Sequence, residues 1–276
     1  MELENSNTNY VLHPEAKIGK NVTIGPFTFI DKNVVIGDDT WIGPNVTIFE
    51  GSRIGKNCRI FPGAVIAGIP QDLKFKGEET TAEIGDNTII REYVTVNRGT
   101  AYAKRTIVGS NCLLMAYVHV AHDCVLGNQV ILANNVNLAG HVEIEDWAIL
   151  EGLVAVQQFI KIGQHSFIAG GSLVRKNVPP YVKAAREPLS YAGVNTVGLR
   201  RRHFSTEQIE HIREIYRILY VRGYNTSHAL QIIEDSLEAT PERDNILSFI
   251  RNSTNGDDQG IMRGLRHVNG SNLNED

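Results

Sequence analysis

The sequence predicts a parallel β-helix built from six-residue repeats, followed by an α-helical C-terminal part. Three observations carry that prediction. From Ile18 to Ile66 every sixth residue is isoleucine, and the same aliphatic register returns at Ile84 and runs to Val174, broken only at Tyr102. Four residues after most of these markers stands a small or β-branched side chain, as at Val22, Thr28, Val34, Thr40, Val46, Ser52, Cys58 and Ala64. Glycine often follows the marker directly, as at Gly19, Gly25, Gly37, Gly43, Gly55, Gly85, Gly109, Gly127 and Gly163. A period of six fits neither a helical stripe nor plain strand alternation. It fits a short strand and a corner in each hexad, with the marker pointing inward. The corner is expected near the glycine, where unusual backbone angles cost least. Three hexads close one triangular coil, so residues eighteen apart stack at a strand spacing of about 4.8 Å.

Taken in order, the polar start MELENSNTNYVLHPEAK has no apolar core of a secretory signal, so none is expected. Segments 67–83 and 97–105, where Asp72, Glu78 and Tyr102 replace the aliphatic marker, are expected as loops leaving one face of the solenoid. Such insertions are where repeat proteins commonly bind. After Val174 the adjacent Pro179 and Pro180 are expected to stop strand pairing. The chain is therefore divided into a β-helix domain, 1–190, and a helical domain with a polar tail, 191–276. Ser205 and Gln208 form a capping box for a first helix with Ile209, Ile212, Tyr216 and Leu219 as its apolar stripe. Thr226 or Ser227 opens a second helix ending near Ala239, and Thr240 before Pro241 opens a third. The tail from Asn269 is polar.

Composition narrows the function. A formal net charge of -4 and a pI near 6.1 argue against a general nucleic-acid binder. No stretch approaches the apolar length of a membrane span. Three cysteines, Cys58, Cys112 and Cys124, at small-residue repeat positions read as reduced, packed thiols of a cytoplasmic protein.

The polar residues of interest sit inside the unbroken repeat between Met115 and His141. His122 and His141 are nineteen apart, one coil plus one residue, so they are expected as near neighbours on one face, with Gln157 and Gln158 continuing their column. His119 lies nearer the corner, and Asp123 is placed to accept a hydrogen bond from the His122 ring, fixing its tautomer. Gly140 offers a main-chain N–H with little steric cover, a candidate oxyanion donor. The residues alone leave three readings open: an acid–base site around His122, a zinc site of His119, His122 and His141 as in a trimeric carbonic anhydrase, or a solenoid without chemistry. The Gln71–Lys74 stretch suits a lid or substrate clamp. Arg200, Arg201 and Arg202 suit phosphate or an acidic partner, or are simply a solvated charge run.

The motifs PQDLKFKGE, VTVNRGT, LLMAYVHVAHDCVLGN, ILANNVNLAGHV, VPPYV and GVNTVGLRRR occur together and in this order. In that combination the chain resembles the UDP-N-acetylglucosamine acyltransferase family of lipid A synthesis, from about Val11 to the last helix. The resemblance implies a left-handed β-helix homotrimer with active sites in clefts between subunits. The donor would be a 3-hydroxyacyl chain on acyl carrier protein, and the acceptor the 3-hydroxyl of UDP-N-acetylglucosamine. No metal or other cofactor is implied, since the phosphopantetheine belongs to the donor. His122 matches the general base, Asp123 its orienting partner and Gly140 the oxyanion donor. Asp72 and Lys74, with the neighbouring Gln71, match sugar-holding residues, and His119 and His141 line the same site. Gln158, Asn195, Arg201 and Arg202 match residues near the nucleotide, and Gly170 stands where acyl length is measured. Gln157 departs from the pattern, standing where many relatives have histidine, and Val197 stands where a relative carries an acidic residue. Acyl length and O- versus N-acylation are left open.

Overall fold

A computed structural model describes residues 9–253 and 260–264. The hexads form a left-handed parallel β-helix of triangular section. Its three faces are sheets of two- to five-residue strands. Face I holds nine strands, Val11–Leu12 to Leu173–Val174, and face II eight, Lys17–Ile18 to Lys161–Ile162. Face III begins at Thr23–Ile24, runs to Phe167–Ile168 and is extended by Val182–Ala185 and Ser190–Val194. Away from the loops the register is eighteen residues, as in Val11↔Phe29 and His119↔Asn137. The markers fill the prism: Ile30, Ile42, Ile48, Ile60, Ile66, Leu132, Leu138 and Ile168 are wholly buried. Each such side chain contributes about 1.5–3 kcal/mol relative to exposure, so the ladder fixes coil on coil.

The small residues that share the interior carry a second device. The hydroxyls of Thr28, Thr40 and Thr88 donate to the carbonyls of Gly43, Gly55 and Gly109. The three cysteines are free and buried, with Cys58, Cys112 and Cys124 Sγ against the carbonyls of Gly85, Gly127 and Ala139. Burial pushes the Cys112 thiol up to about 11 and Cys124 up to about 12. These are inert packing groups.

The corners are not where the glycines suggested. The left-handed φ falls on the third residue after most markers, at Asn21, Asn33, Asp39, Asn45, Asn57, Asn87, Asn111 and Asn135 among others. Asparagine and aspartate tolerate that region better than other side chains. The glycine after the marker serves close approach instead: a Cβ on Gly37 would lie 2.6 Å from the carbonyl carbon of Gly55 in the next coil.

Repeat arithmetic also places both insertions. Markers Ile66 and Ile84 are eighteen apart, and Val96 and Val108 twelve, where a plain step is six. Both gaps lie between a face I and a face II strand, so both loops leave the same edge of the prism in successive coils.

The double proline does not end the sheet. Val182–Ala185 pairs parallel with Phe167–Ile168, and Ser190–Val194 then turns back antiparallel upon it. Pro180 sits over Gly163, where a Cβ would come within 2.5 Å of its nitrogen, so the prolines turn a corner with no donor wanted. The expected division at 190/191 falls inside this strand pair, and the helices begin at Thr196. Four follow among the described residues: α1 Thr196–Arg201, α2 Thr206–Tyr220, α3 Thr226–Ser236 and α4 Pro241–Asn252. The Ser205–Gln208 capping box and the Thr240–Pro241 start are as expected, while Asn225 caps α3. The sequence reading missed α1, so Arg200 and Arg201 end a helix and Arg202 is its C-cap. The tail from Asn269 lies outside the described residues.

Close coil contact should make the glycines after the markers intolerant of any side chain. Gly37→Ala is expected to cost about 1–3 kcal/mol by overpacking. Gly152→Ala, whose Cβ would meet only the Asn134 carbonyl at 3.4 Å, should melt near the parent temperature. Thermal unfolding of the two variants checks the contrast.

Candidate active site

The sequence brings its chemistry to the edge between faces I and II. His119 points outward from face I, where its Nδ1 is hydrogen-bonded to the Thr95 hydroxyl at 2.7 Å. Two residues past the marker Val120 comes His122, and at the left-handed corner itself Asp123, with φ 59°. His122 Nδ1–H donates to Asp123 Oδ2 at 2.9 Å, and both side chains are buried. That bond fixes the tautomer and leaves Nε2 as the unprotonated nitrogen.

The residue eighteen after His122 is Gly140, not His141, and the geometry explains the glycine. A Cβ there would sit 2.6 Å from His122 Cε1 and 2.8 Å from Nε2, so the imidazole occupies the space a side chain would need. Gly140 is buried, and its N–H meets no hydrogen-bond acceptor among the described residues. His141 belongs to the corner column of Asp123 and Phe159. Its ring stacks on Phe159 and makes a T-shaped contact with Tyr102, the ring centroids 4.4 and 4.6 Å away. Its Nδ1 lies 3.9 Å from Asp123 Oδ2 and has no hydrogen-bond partner. Of the two glutamines, Gln158 continues the column of Gly140 and lines the cleft, while Gln157 is exposed and does not line it.

An open cleft of about 800 Å³ lies over these groups, lined by His119, His122, Gly140, His141 and Gln158 and by Gln71, Asp72, Leu73 and Lys74 from the 67–83 loop. Leu73 is fully exposed there, an apolar contact that the sequence did not single out. Burial opposes charge on Asp123, but the Thr100 hydroxyl and N–H, the His122 ring and the Ala103 N–H overcome it and hold its carboxyl below the ordinary value. Burial, and then the neighbouring His122, hold His119 below the usual imidazole range. Burial does the same to His141 despite the facing Asp123. An imidazole hydrogen-bonded to a buried carboxylate suits proton transfer.

The three histidines do not converge as a zinc set. The ligand atoms that lie within 4.8 Å of one another belong to His122, Asp123 and His141, while His119 is outside the group. The Asp123 carboxylate is already occupied by the Thr100 N–H and O–H, the Ala103 N–H and His122. A buried acceptor so fully used has no lone pair directed at a cation.

The remaining predicted residues lie on the other two edges. Asn195 and Arg202 sit at the edge between faces II and III. Asn195 Oδ1 accepts the Gly198 N–H, and its Nδ2 donates to the His165 carbonyl. Arg202 donates from Nη2 to the Trp147 carbonyl at 3.0 Å and lies over the Trp147 ring. His165 is stacked between Trp147 and Tyr181, and burial with the adjacent Arg202 holds it down at about 4. Arg201 is exposed nearby. Gly170 lies near the edge between faces III and I, its N–H donating to Glu151 Oε2 at 3.0 Å. The left-handed turn there belongs to Gly171, with φ +70°, and Gly170 carries no such angle.

Comparison with known proteins places the chain among relatives of one kind. Residues 177–262 match the second domain of UDP N-acetylglucosamine O-acyltransferase, and residues 33–68 and 105–140 match the six-repeat bacterial transferase hexapeptide. An acyl-[acyl-carrier-protein]–UDP-N-acetylglucosamine O-acyltransferase of Myxococcus xanthus is 47% identical over 89% of this chain and 96% of its own. A UDP-N-acetylglucosamine acyltransferase structure from Bacteroides fragilis superposes with a TM-score of 0.91 at 54% identity, covering 93% of this chain and 99% of that one. The Francisella novicida enzyme gives 0.90 at 41%, covering 94% of each. Related over about nine-tenths of its length to enzymes of one kind, this chain is an acyltransferase and belongs to the UDP-N-acetylglucosamine O-acyltransferase family.

Proposed function

We propose that the protein transfers a 3-hydroxyacyl chain from acyl carrier protein to the 3-hydroxyl of UDP-N-acetylglucosamine, the first step of lipid A biosynthesis, in the cytoplasm. The observation that carries the mechanism is the buried His122–Asp123 pair directly beneath Gly140. An alcohol is a poor nucleophile at neutral pH, so a base must remove its proton as it attacks the thioester. His122 Nε2 takes that proton, Asp123 steadies the imidazolium, and the new O–C bond forms as the tetrahedral oxyanion develops. The unengaged Gly140 N–H is the donor for that oxyanion. Collapse breaks the C–S bond, and the proton passes from His122 to the departing pantetheine thiolate. Each step is supplied by side chains and one main-chain N–H; the phosphopantetheine arrives on the donor. Asp72, Lys74 and Gln71 on the overhanging loop, with His119 and His141, hold the sugar, and Gln158 lies toward the nucleotide. Gln157 lies just outside and bears on the nucleotide.

Geometry supports a homotrimer. Each face spans about 15–20 Å, six residues at about 3.3 Å. His122, Arg202 and Gly170 therefore occupy three separate edges of one prism, too far apart to touch one ligand. From Ile89 through Leu113, Ile131 and Ile149 to Phe167 the outward residues of face III make a half-buried apolar ladder, whereas face II mixes Val35, Ile107 and Val125 with the charged Lys17, Arg53, Glu83, Glu143 and Lys161. A second copy packed by its face III against face I of the first covers the ladder. It brings Asn195, Arg201 and Arg202 toward the cleft for the diphosphate and base, and the Gly170 surface beside the acyl tail.

His122→Ala should lower turnover by at least ~100-fold, the scale of losing a general base. Melting should be unchanged, because the ring adds nothing to the aliphatic ladder; near-normal turnover would remove the mechanism. If the site is shared between copies, His122→Ala and Arg202→Ala chains, each deficient alone, should complement when co-assembled. About one quarter of the sites would be intact in a random equal mixture, as expected for a cyclic head-to-tail interface. No recovery in a mixed trimer would place both residues in one subunit's site.

A Cβ at Gly170 would meet the Gly152 carbonyl at 3.2 Å and little else, so Gly170→Met should fold. It should shift preference to donors shorter by several carbons, since each unburied methylene forfeits about 0.8 kcal/mol. A panel of acyl donors read by mass, with melting as control, decides whether this surface measures the chain.

A further inference from the structure

We propose that the 97–105 insertion is part of the catalytic apparatus, with Thr100 as a positioning residue that holds the Asp123 carboxylate where it accepts the His122 Nδ1–H. This rests on reading His122 as the base. The insertion leaves the prism one coil below Asp123, at the same edge. From there Thr100 reaches up twice: its N–H donates to Asp123 Oδ1 at 2.9 Å and its hydroxyl to Oδ2 at 2.6 Å. The Ala103 N–H adds a third contact, to Oδ1 at 3.3 Å. Below them, the Asp123 N–H donates to the Thr106 hydroxyl at 2.8 Å. The carboxylate is fully enclosed, so these donors and His122 replace its water.

The turn itself does not require this arrangement. The same corner in neighbouring coils is made by Asn33, Gly51, His141 and Phe159, all neutral or weakly basic, with the same backbone hand. An aspartate here adds a buried charge, which is costly unless it is hydrogen-bonded. The inserted residues are shaped to supply those bonds. Gly99 allows the loop to close, since a Cβ there would meet the Arg105 nitrogen at 2.2 Å. The Lys104 N–H donates to the Thr100 carbonyl at 2.8 Å, and the Tyr102 N–H to its hydroxyl oxygen at 3.2 Å. Tyr102, otherwise exposed, makes a T-shaped contact with the His141 ring. The Thr100 hydroxyl is thus oriented by accepting from Tyr102 while it donates to Asp123. Both carboxylate oxygens are pinned, and the plane from which Oδ2 meets the imidazole is fixed.

Thr100→Val keeps the shape and the main-chain donor but removes the hydroxyl. Losing one hydrogen bond to a charged group predicts a fall in kcat of about 10-fold. KM for the sugar nucleotide should be unchanged, because Thr100 does not line the cleft. The ionisable groups around the pair are His119 on face I, His141 in the next coil, Asp72 and Lys74 on the long loop, and Tyr102 on the insertion. None of them is altered. With its charge less satisfied, Asp123 leans harder on His122 and favours imidazolium, so the acidic limb of the kcat profile should move to higher pH. Thr100→Ser should restore both the rate and the limb.

The assays use the full-length protein beside His122→Ala, with melting followed for each. Parent kcat and an unmoved limb in Thr100→Val, with His122→Ala inactive, would overturn the positioning role alone. If His122→Ala is itself active, the reading of the base fails first. Should Thr100→Val melt below the assay temperature, Thr100→Ser carries the test. Parent kinetics there support the hydroxyl's role, and a tenfold loss with the hydroxyl retained would refute it.

Discussion

Everything in this molecule depends on the stacking of one coil on the next by a column of inward aliphatic side chains. Because the ladder from Ile30 to Val174 leaves no slack, a residue's lateral position is fixed by its place in the hexad and its height by its coil. A rigid prism can hold a buried carboxylate beside an imidazole without main-chain movement. The same rigidity makes the glycines after the markers necessary, since neighbouring coils touch backbone to backbone there. Thr and Cys at the other inward position add hydrogen bonds to carbonyls of the coil above, so the interior is tied as well as packed.

Upon that frame the chemistry is added by departures from the repeat, all at one edge. Two insertions leave the prism between faces I and II, and the next coil places His122 and Asp123 at the same edge. The longer loop overhangs the cleft with Asp72, Leu73 and Lys74, and the shorter surrounds the carboxylate. Burial raises the free energy of the charged aspartate, and the surrounding donors lower it further than burial raises it. Around it desolvation, joined by the neighbouring His122, holds His119 below the ordinary imidazole range, and at His141 desolvation outweighs attraction to that charge.

The edge between faces II and III is built on a different principle. Trp147, His165 and Tyr181 stack along its corner, and Arg202 lies across Trp147 while donating to the main chain. Asn195 is consumed in capping α1 and bonding the His165 carbonyl, so its contribution is to set the arginines in place. A guanidinium so fixed has lost its side-chain entropy before any ligand arrives, which favours tight recognition of an anion.

How much of this was legible in the sequence follows from periodicity. The hexad marker alone gave the β-helix, the triangular coil, both insertions and the nearness of His122, Asp123 and His141, because a strict repeat converts sequence separation into position. Caps gave α2 and α4, since Ser205 and Thr240 act within a few residues. The family motifs pointed to the acyltransferase fold and chemistry. The sequence misled where chemistry is local but its reason is not. Glycine seemed the corner residue, yet asparagine takes the corner and glycine yields space to the next coil. The double proline seemed a stop, yet a face III strand resumes beyond it, because Val182–Ala185 finds Phe167–Ile168 as partner. Only the tertiary structure decided that His122 lies against Gly140 and His141 against Phe159, and that Thr100 reaches Asp123 across a coil. Such contacts depend on which way a side chain leaves a stacked corner, and a period of six fixes where a residue stands without fixing where it points.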